Sequence, residues 1–149
     1  RLEEVWKTPR ILIDGAHTTE SIHALIRAIG AHYRYDSMVV VFGCNADKNI
    51  QGMIDKVGLG SDKIIFTQSA DNQRAANPAK LKELFVERHG KMAQVEPNLK
   101  EAINIAARAV GHGDIILITG SFYLAGQAKQ LLLEAAAKKR AASQVEPKA

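Results

Sequence analysis

Asp14 and His17, separated only by Gly15-Ala16, follow directly on the apolar run Ile11-Leu12-Ile13. A short β-branched run bounded by a turn reads as a buried strand, and Gly15 and Ala16 give a turn with almost no side-chain bulk. A carboxylate and an imidazole are thereby delivered to a strand's carboxyl end, which in an open α/β sheet is the edge where ligands bind. On local pattern, Asp14 could accept hydrogen bonds from ribose hydroxyls, contact a metal-bound water, or cap the next helix. His17 could donate to a phosphate or carboxylate, or be an ordinary turn histidine. A second junction, Gly120-Ser121-Phe122-Tyr123-Leu124, follows the run Ile115-Ile116-Leu117-Ile118-Thr119. Ser121 there could help bind a small carboxylate beside helix N–H groups, or serve only as the helix N-cap. Lys48, at a third such junction, could meet phosphate oxygens or remain an exposed helix lysine. Phe122 and Tyr123 read as packing residues, and His23, His32 and His89 as solvated ones.

The elements that must carry these residues alternate. Leu2–Trp6 is expected as a strand, Lys7-Thr8-Pro9 as a turn, and Arg10–Asp14 as its hairpin partner. Ile22, Leu25, Ile26 and Ile29 form the stripe of an amphipathic helix, with Thr18, Thr19 or Ser21 as its cap and Gly30 as its end. Strands are expected over Ser37–Gly43, Lys63–Gln68, Ala93–Glu96 and Asp114–Thr119. Helices are expected from Ile50 to Val57, from Pro78 behind an Asn77 cap, from Leu99 behind Asn98, and over Leu124–Arg140. This alternation implies βαβ units: a three-layer, Rossmann-like α/β domain with a mostly parallel six-stranded sheet, an antiparallel N-terminal edge strand and about five helices. Right-handed crossovers would gather Asp14, His17, Gly43, Asp47, Gln68 and Ser121 along one edge. Residues 1–140 are expected as the domain and 141–149 as a flexible tail.

Composition narrows the classes. The 149 residues suffice for one domain with a real core. No run of 18 or more apolar residues suggests a membrane span, and no secretory leader pattern opens the chain. One cysteine, Cys44, excludes an internal disulfide and fits a cytoplasmic setting. Of the net charge of +4, the segment from Lys129 onward supplies +3 (Lys129, Lys138, Lys139, Arg140 and Lys148 against Glu134 and Glu146), and aromatics are only 5%. A nearly neutral body argues against a nucleic-acid surface. Walker A, dinucleotide, zinc-ligand and nucleophile-elbow motifs are all missing; Gly58-Leu59-Gly60 is followed by Lys63 where a third glycine belongs. Arg1, with strand pattern starting at once, suggests a piece of a longer polypeptide.

Three blocks taken together are more specific: Pro9-Arg10-Ile11-Leu12-Ile13-Asp14-Gly15-Ala16-His17, then Phe42-Gly43 through Ala46-Asp47-Lys48-Asn49, then Thr119-Gly120-Ser121-Phe122-Tyr123-Leu124. In order and spacing they resemble the C-terminal glutamate-ligase domain of folylpolyglutamate synthase/dihydrofolate synthase, a domain shared with the Mur ligases. The resemblance covers about residues 1–135. It implies an ATP-dependent enzyme, using Mg2+, that phosphorylates a folate or pteroate carboxylate and lets the amine of L-glutamate attack the acyl phosphate. The C-terminal domain then closes over an ATPase domain of the same polypeptide, which binds most of the nucleotide and metal; a monomer is expected, with no metal ligands on this domain. By this resemblance Asp14, Gly15, Ala16, Thr18, Asp47 and Lys48 contact nucleotide, His17 serves catalysis and substrate, and Ser121 and Tyr123 bind substrate. Two positions depart from the family pattern. Thr18-Thr19 stands where D-G-A-H is usually followed by Asn-Pro, and Asn49 where a second acid commonly follows A-D-K. A freestanding nucleotide- or metabolite-binding module, or a Mur-type cell-wall ligase domain, are the alternatives; Mur enzymes resemble D-S-x-A-T-N at the first block, against Asp14-Gly15-Ala16-His17 here.

Overall fold

The computed structural model describes residues 1–144. Strands β1 (Glu3–Trp6), β2 (Arg10–Ile13), β3 (Met38–Phe42), β4 (Lys63–Phe66), β5 (Gln94–Val95) and β6 (Ile115–Thr119) form one sheet in the order β1-β2-β6-β3-β4-β5. Among the described strands only the β1–β2 pair is antiparallel, and the other strand pairings are parallel. The crossovers are helices α1 (Thr19–His32), α2 (Ile50–Gly60), α3 (Pro78–His89) and α4 (Leu99–Ala109), and α5 (Phe122–Ser143) closes the described chain. None of these helices is long and apolar enough to cross a membrane.

The period of two along each strand divides the core. Leu12, Val40, Phe42, Ile64, Phe66, Ile115 and Leu117 pack with α1, α2 and α3 on one face. Ile11, Ile13, Val39, Val41, Ile65, Ile116 and Ile118 pack with α4 and α5 on the other. Burial on both faces explains why the strands read as unbroken apolar runs. The expected three layers, six strands and antiparallel edge are all present.

Local departures have local causes. α1 passes through Gly30 and ends at Tyr33, whose N–H reaches Ile29 O. Gly30 is exposed and keeps a negative φ, and a glycine within a helix costs only about 1 kcal/mol, too little to end it. Helix α5 starts two residues before the expected Leu124, because Ser121 is its cap, and runs three residues beyond Arg140. The expected tail 141–149 is thus helical to Ser143, and its last five residues lie outside the described ones.

His89 is not a solvated histidine. It lies four residues after Phe85 on one helix face, its ring centroid 5.1 Å from that of Phe85, and its Nε2 is 3.0 Å from Asp55 Oδ1 on α2. Arg88 donates to the same carboxylate, with Nε 2.8 Å from Oδ1. The Arg88 hydrogen bond is the main reason the Asp55 carboxyl sits below its usual 3.8. A carboxyl that is the stronger acid when folded stabilises the fold above the unfolded carboxylate range, and that contribution fades as pH falls through its folded value. Asp55→Asn should therefore lower the melting temperature at about pH 7, with the gap to wild type closing in melts near pH 2. A gap unchanged by acid would assign the effect to packing instead.

Candidate functional site

Parallel pairing brings the carboxyl ends of β2, β6, β3 and β4 to one edge, and main-chain bonds continue past the strands there. Asp14 N donates to Ile118 O, Gly43 N to Thr119 O, Thr67 N to Phe42 O, and Gly120 N to Ala16 O. Gly120 has φ of 113°, and a Cβ on it would lie 2.4 Å from Gly43 O. A Cβ on Gly43 would in turn lie 2.7 Å from Thr67 O. Two glycines therefore let three successive strand ends approach backbone to backbone.

On this edge a cavity of about 160 Å³ is lined by His17, Asn45, Lys48, Arg74, Gly120, Ser121, Phe122 and Tyr123. Of the residues expected at a site, His17, Lys48, Ser121 and Tyr123 are brought together. Asp14, Gly15 and Ala16 lie immediately behind His17, and Asp14 Oδ1 accepts from Ala16 N at 2.8 Å. Asp14 thus folds its own turn and does not cap α1. That cap is Thr18, whose hydroxyl accepts from Ser21 N at 3.0 Å while Ser21 Oγ accepts from Thr18 N, a capping box. His17 Nδ1 is 2.9 Å from Gly15 O, a bond that requires the proton on Nδ1 and leaves Nε2 free to meet a ligand. Gln68 reaches the same edge but borders a separate open groove with Ser69, Asn72 and Asn98.

Ser121, only 4% exposed, accepts from Tyr123 N at 3.1 Å and Leu124 N at 3.3 Å. Capping uses its lone pairs; the hydroxyl proton remains available to an acceptor in the cavity. Phe122 and Tyr123 are 74% and 54% exposed, so neither is the packing residue expected. Their rings meet edge to face, and the Phe122 side chain lies against Gly15.

Four lining residues lie outside the expected set: Asn45, Arg74, Gly120 and Phe122. Arg74 comes from the loop after β4, 27 residues beyond Asp47, and donates Nη2 to Asp47 Oδ2 at 3.0 Å. This hydrogen bond is the main reason Asp47 stays a stronger acid than usual. Asp47 is itself outside the cavity lining and joins the site through Arg74. The polar run Asp71-Asn72-Gln73-Arg74 at a strand's carboxyl end was the available signal. Cys44, next to the site in sequence, is buried, and burial pushes its thiol up to about 12, so it is a neutral packing group.

The arrangement offers an imidazole, an ammonium, a guanidinium, a hydroxyl and the amino end of a 22-residue helix around a small space. Such donors suit carboxylate or phosphate oxygens. Among the described residues no group of three or more His, Cys, Asp or Glu could hold a metal ion.

An α/β unit with a pocket of hydrogen-bond donors at the carboxyl edge of a mostly parallel sheet is a domain of the doubly wound class. The chain belongs to the family described as "Mur ligase, glutamate ligase domain", which matches residues 1–122. It is 31% identical over 133 residues to a folylpolyglutamate synthase of Lacticaseibacillus casei, covering 89% of this chain and 29% of that protein. It is 30% identical over 135 residues to the UDP-N-acetylmuramoyl-L-alanyl-D-glutamate–2,6-diaminopimelate ligase of Chlorobaculum tepidum, covering 85% of this chain and 26% of that one. Mycobacterium tuberculosis folylpolyglutamate synthase, solved in complex with ADP, superposes with a TM-score of 0.81 at 27% identity, over 89% of this chain and 32% of that one. The chain thus spans under a third of the length of these relatives.

Two substitutions test the local geometry. Gly120→Ala should cost about 2–4 kcal/mol in denaturant unfolding, since it adds both strain at positive φ and a collision with backbone. Ser121→Ala should cost about 1 kcal/mol and Ser121→Gly only a few tenths, the signature of an N-cap, in the same unfolding measurement.

Proposed function

We propose that this chain is the glutamate-ligase domain of an ATP-dependent folylpolyglutamate synthase/dihydrofolate synthase, acting as a monomer in the cytoplasm. The observation that carries the reading is the cavity in which His17, Lys48, Arg74 and Ser121 converge. The folylpolyglutamate synthase relatives and the order of the three sequence blocks support it.

ATP with Mg2+ would supply the phosphoryl group that activates the acceptor carboxylate. By the resemblance, the magnesium donors would come largely from an ATPase domain of the same polypeptide. Asp14, Gly15, Ala16 and Thr18 would border the nucleotide; one Asp14 oxygen already accepts from Ala16 N in the turn, and the Thr18 hydroxyl is paired with Ser21 in the cap. Asp47 would act on that border by holding Arg74.

Lys48, expected from the resemblance at the nucleotide, would here join Arg74 in holding the carboxylates of L-glutamate, with the Ser121 proton as a third donor and Tyr123 as a wall. Holding both carboxylates aims the amine at the activated carbonyl carbon. The C–N bond forms, the C–O bond to phosphate breaks, and the amine proton leaves with phosphate or to His17 Nε2. His17, fixed through Nδ1, is placed to donate to or accept from the departing phosphate region.

In the full-length polypeptide His17→Ala should lower turnover by about 10²-fold in a glutamate-dependent phosphate-release assay, with the melting temperature nearly unchanged. A large melting loss with proportionate activity loss would make His17 structural. The 30% identity to the diaminopimelate ligase favours a second reading, a Mur-type ligase domain. Turnover with diaminopimelate and UDP-N-acetylmuramoyl-L-alanyl-D-glutamate, and none with glutamate and a pteroate or folate, would select it. No ATP turnover with either pair would leave a binding module.

A further inference from the structure

Gln127 lies on α5, six residues past Ser121, with its side chain on the loop that follows β4. It grips Ala70 at both main-chain groups: Ala70 N donates to Oε1 at 2.7 Å, and Nε2 donates to Ala70 O at 2.9 Å. Beyond this clamp the loop is tightly specified. Asp71 takes a left-handed φ of 54°. Asn72 then sends Nδ2 to Asn45 Oδ1 at 3.0 Å and Ser69 Oγ at 2.9 Å, and its Oδ1 accepts from Arg74 N at 3.0 Å. Arg74 O accepts from Ala46 N at 2.7 Å. Both main-chain groups of Arg74 are therefore held, one through Asn72 and one by the loop after β3.

The loop that carries Arg74 thus has two attachments to the rest of the site. One runs through Asn45 and Ala46 to the loop bearing Lys48; the other is Gln127, on the helix whose first turn bears Ser121. We infer that Gln127 is a positioning residue for the amino-acid substrate: by fixing Ala70 it sets the distance between the Arg74 guanidinium and the Ser121 end of α5. The inference rests on the functional reading above, in which Arg74 holds a substrate carboxylate. The side-chain chemistry is specific. A glutamate would keep the bond from Ala70 N and set a carboxylate against Ala70 O; an alanine would lose both. Ala70 is exposed, so water replaces lost bonds at small cost in global stability, and the effect falls on placement.

The test uses the full-length polypeptide with Gln127→Ala, Gln127→Glu, Arg74→Ala and the Gln127→Ala/Arg74→Ala double variant. KM for L-glutamate, KM for ATP, kcat and melting temperature are measured for each. The expected result is a rise of about tenfold in KM for glutamate in Gln127→Ala, a smaller rise in Gln127→Glu, and KM for ATP within about twofold of wild type. The double variant should match Arg74→Ala alone, because residues acting through one group do not add. An unchanged KM for glutamate, equal rises in both KM values, or additive losses in the double variant would overturn the inference while leaving the functional reading intact. A wild type that shows no glutamate-dependent ATP turnover would overturn both. Should Gln127→Ala melt below assay temperature, Gln127→Glu, which keeps one bond, carries the same comparison.

Discussion

The close approach of three main chains at the carboxyl edge is the constraint on which the rest depends. Gly120 and Gly43 leave β6 and β3 so near their neighbours that a methyl group on either would overlap a carbonyl oxygen. Strand ends at this spacing send their loops out side by side, and ladder bonds continue across the gap through Gly43 N, Thr67 N and Gly120 N. His17, Lys48, Arg74 and Ser121 come from four different loops and share one small cavity only because those loops start so close together. The site is thus a consequence of backbone packing before it is an arrangement of side chains. Two of its donors are held by short-range bonds within their own turns, His17 through Gly15 O and Ser121 through the α5 amides, whereas Arg74 is held across loops by Asp47.

The division of labour at the turns follows from counting donors and acceptors. A helix begins with unpaired N–H groups, and some nearby oxygen must take them. At α1 the Thr18–Ser21 box does so, which leaves His17 outside the helix and free to turn toward the cavity. At α5 the same need is met by the Ser121 lone pairs, which leaves a hydroxyl proton pointing at no protein acceptor among the described hydrogen bonds. The bland and the functional readings of Ser121 are therefore compatible: the cap fixes the oxygen, and a fixed oxygen is what a substrate donor needs.

Most of the fold was legible because its signals are local. Strands buried on both faces appear as unbroken runs such as Met38–Phe42, and the caps Asn77 and Asn98 stand directly before their helices. The D-G-A-H turn, Lys48 and the Gly120-Ser121 junction were readable for the same reason: each sits where a run stops. Gly30 misled because a glycine's penalty within a helix is weak, and whether it ends the helix at a left-handed φ is not written in the local sequence. Arg74, Asn45 and Gln127 were not legible. Their roles depend on partners 27 to 57 residues away, and nothing in the periodicity of a polar loop says which strand end it will face.

The exposed pair Phe122 and Tyr123 bears on how much of a site this chain holds. An aromatic pair beside a polar pocket is costly to leave in water and useful when something covers it. The pocket's charges point the same way. The proposed binding of carboxylate or phosphate by Lys48 and Arg74 would gain strength as water is excluded, because the Coulomb interaction grows as the local dielectric falls. Left open, the same groups are worth little, as any solvated pair such as Arg74–Asp47 is. In the proposed ligase such a domain would act by closing on a second surface that carries the nucleotide chemistry: this half would bring rigid donors and an aromatic rim, and the other would remove the water.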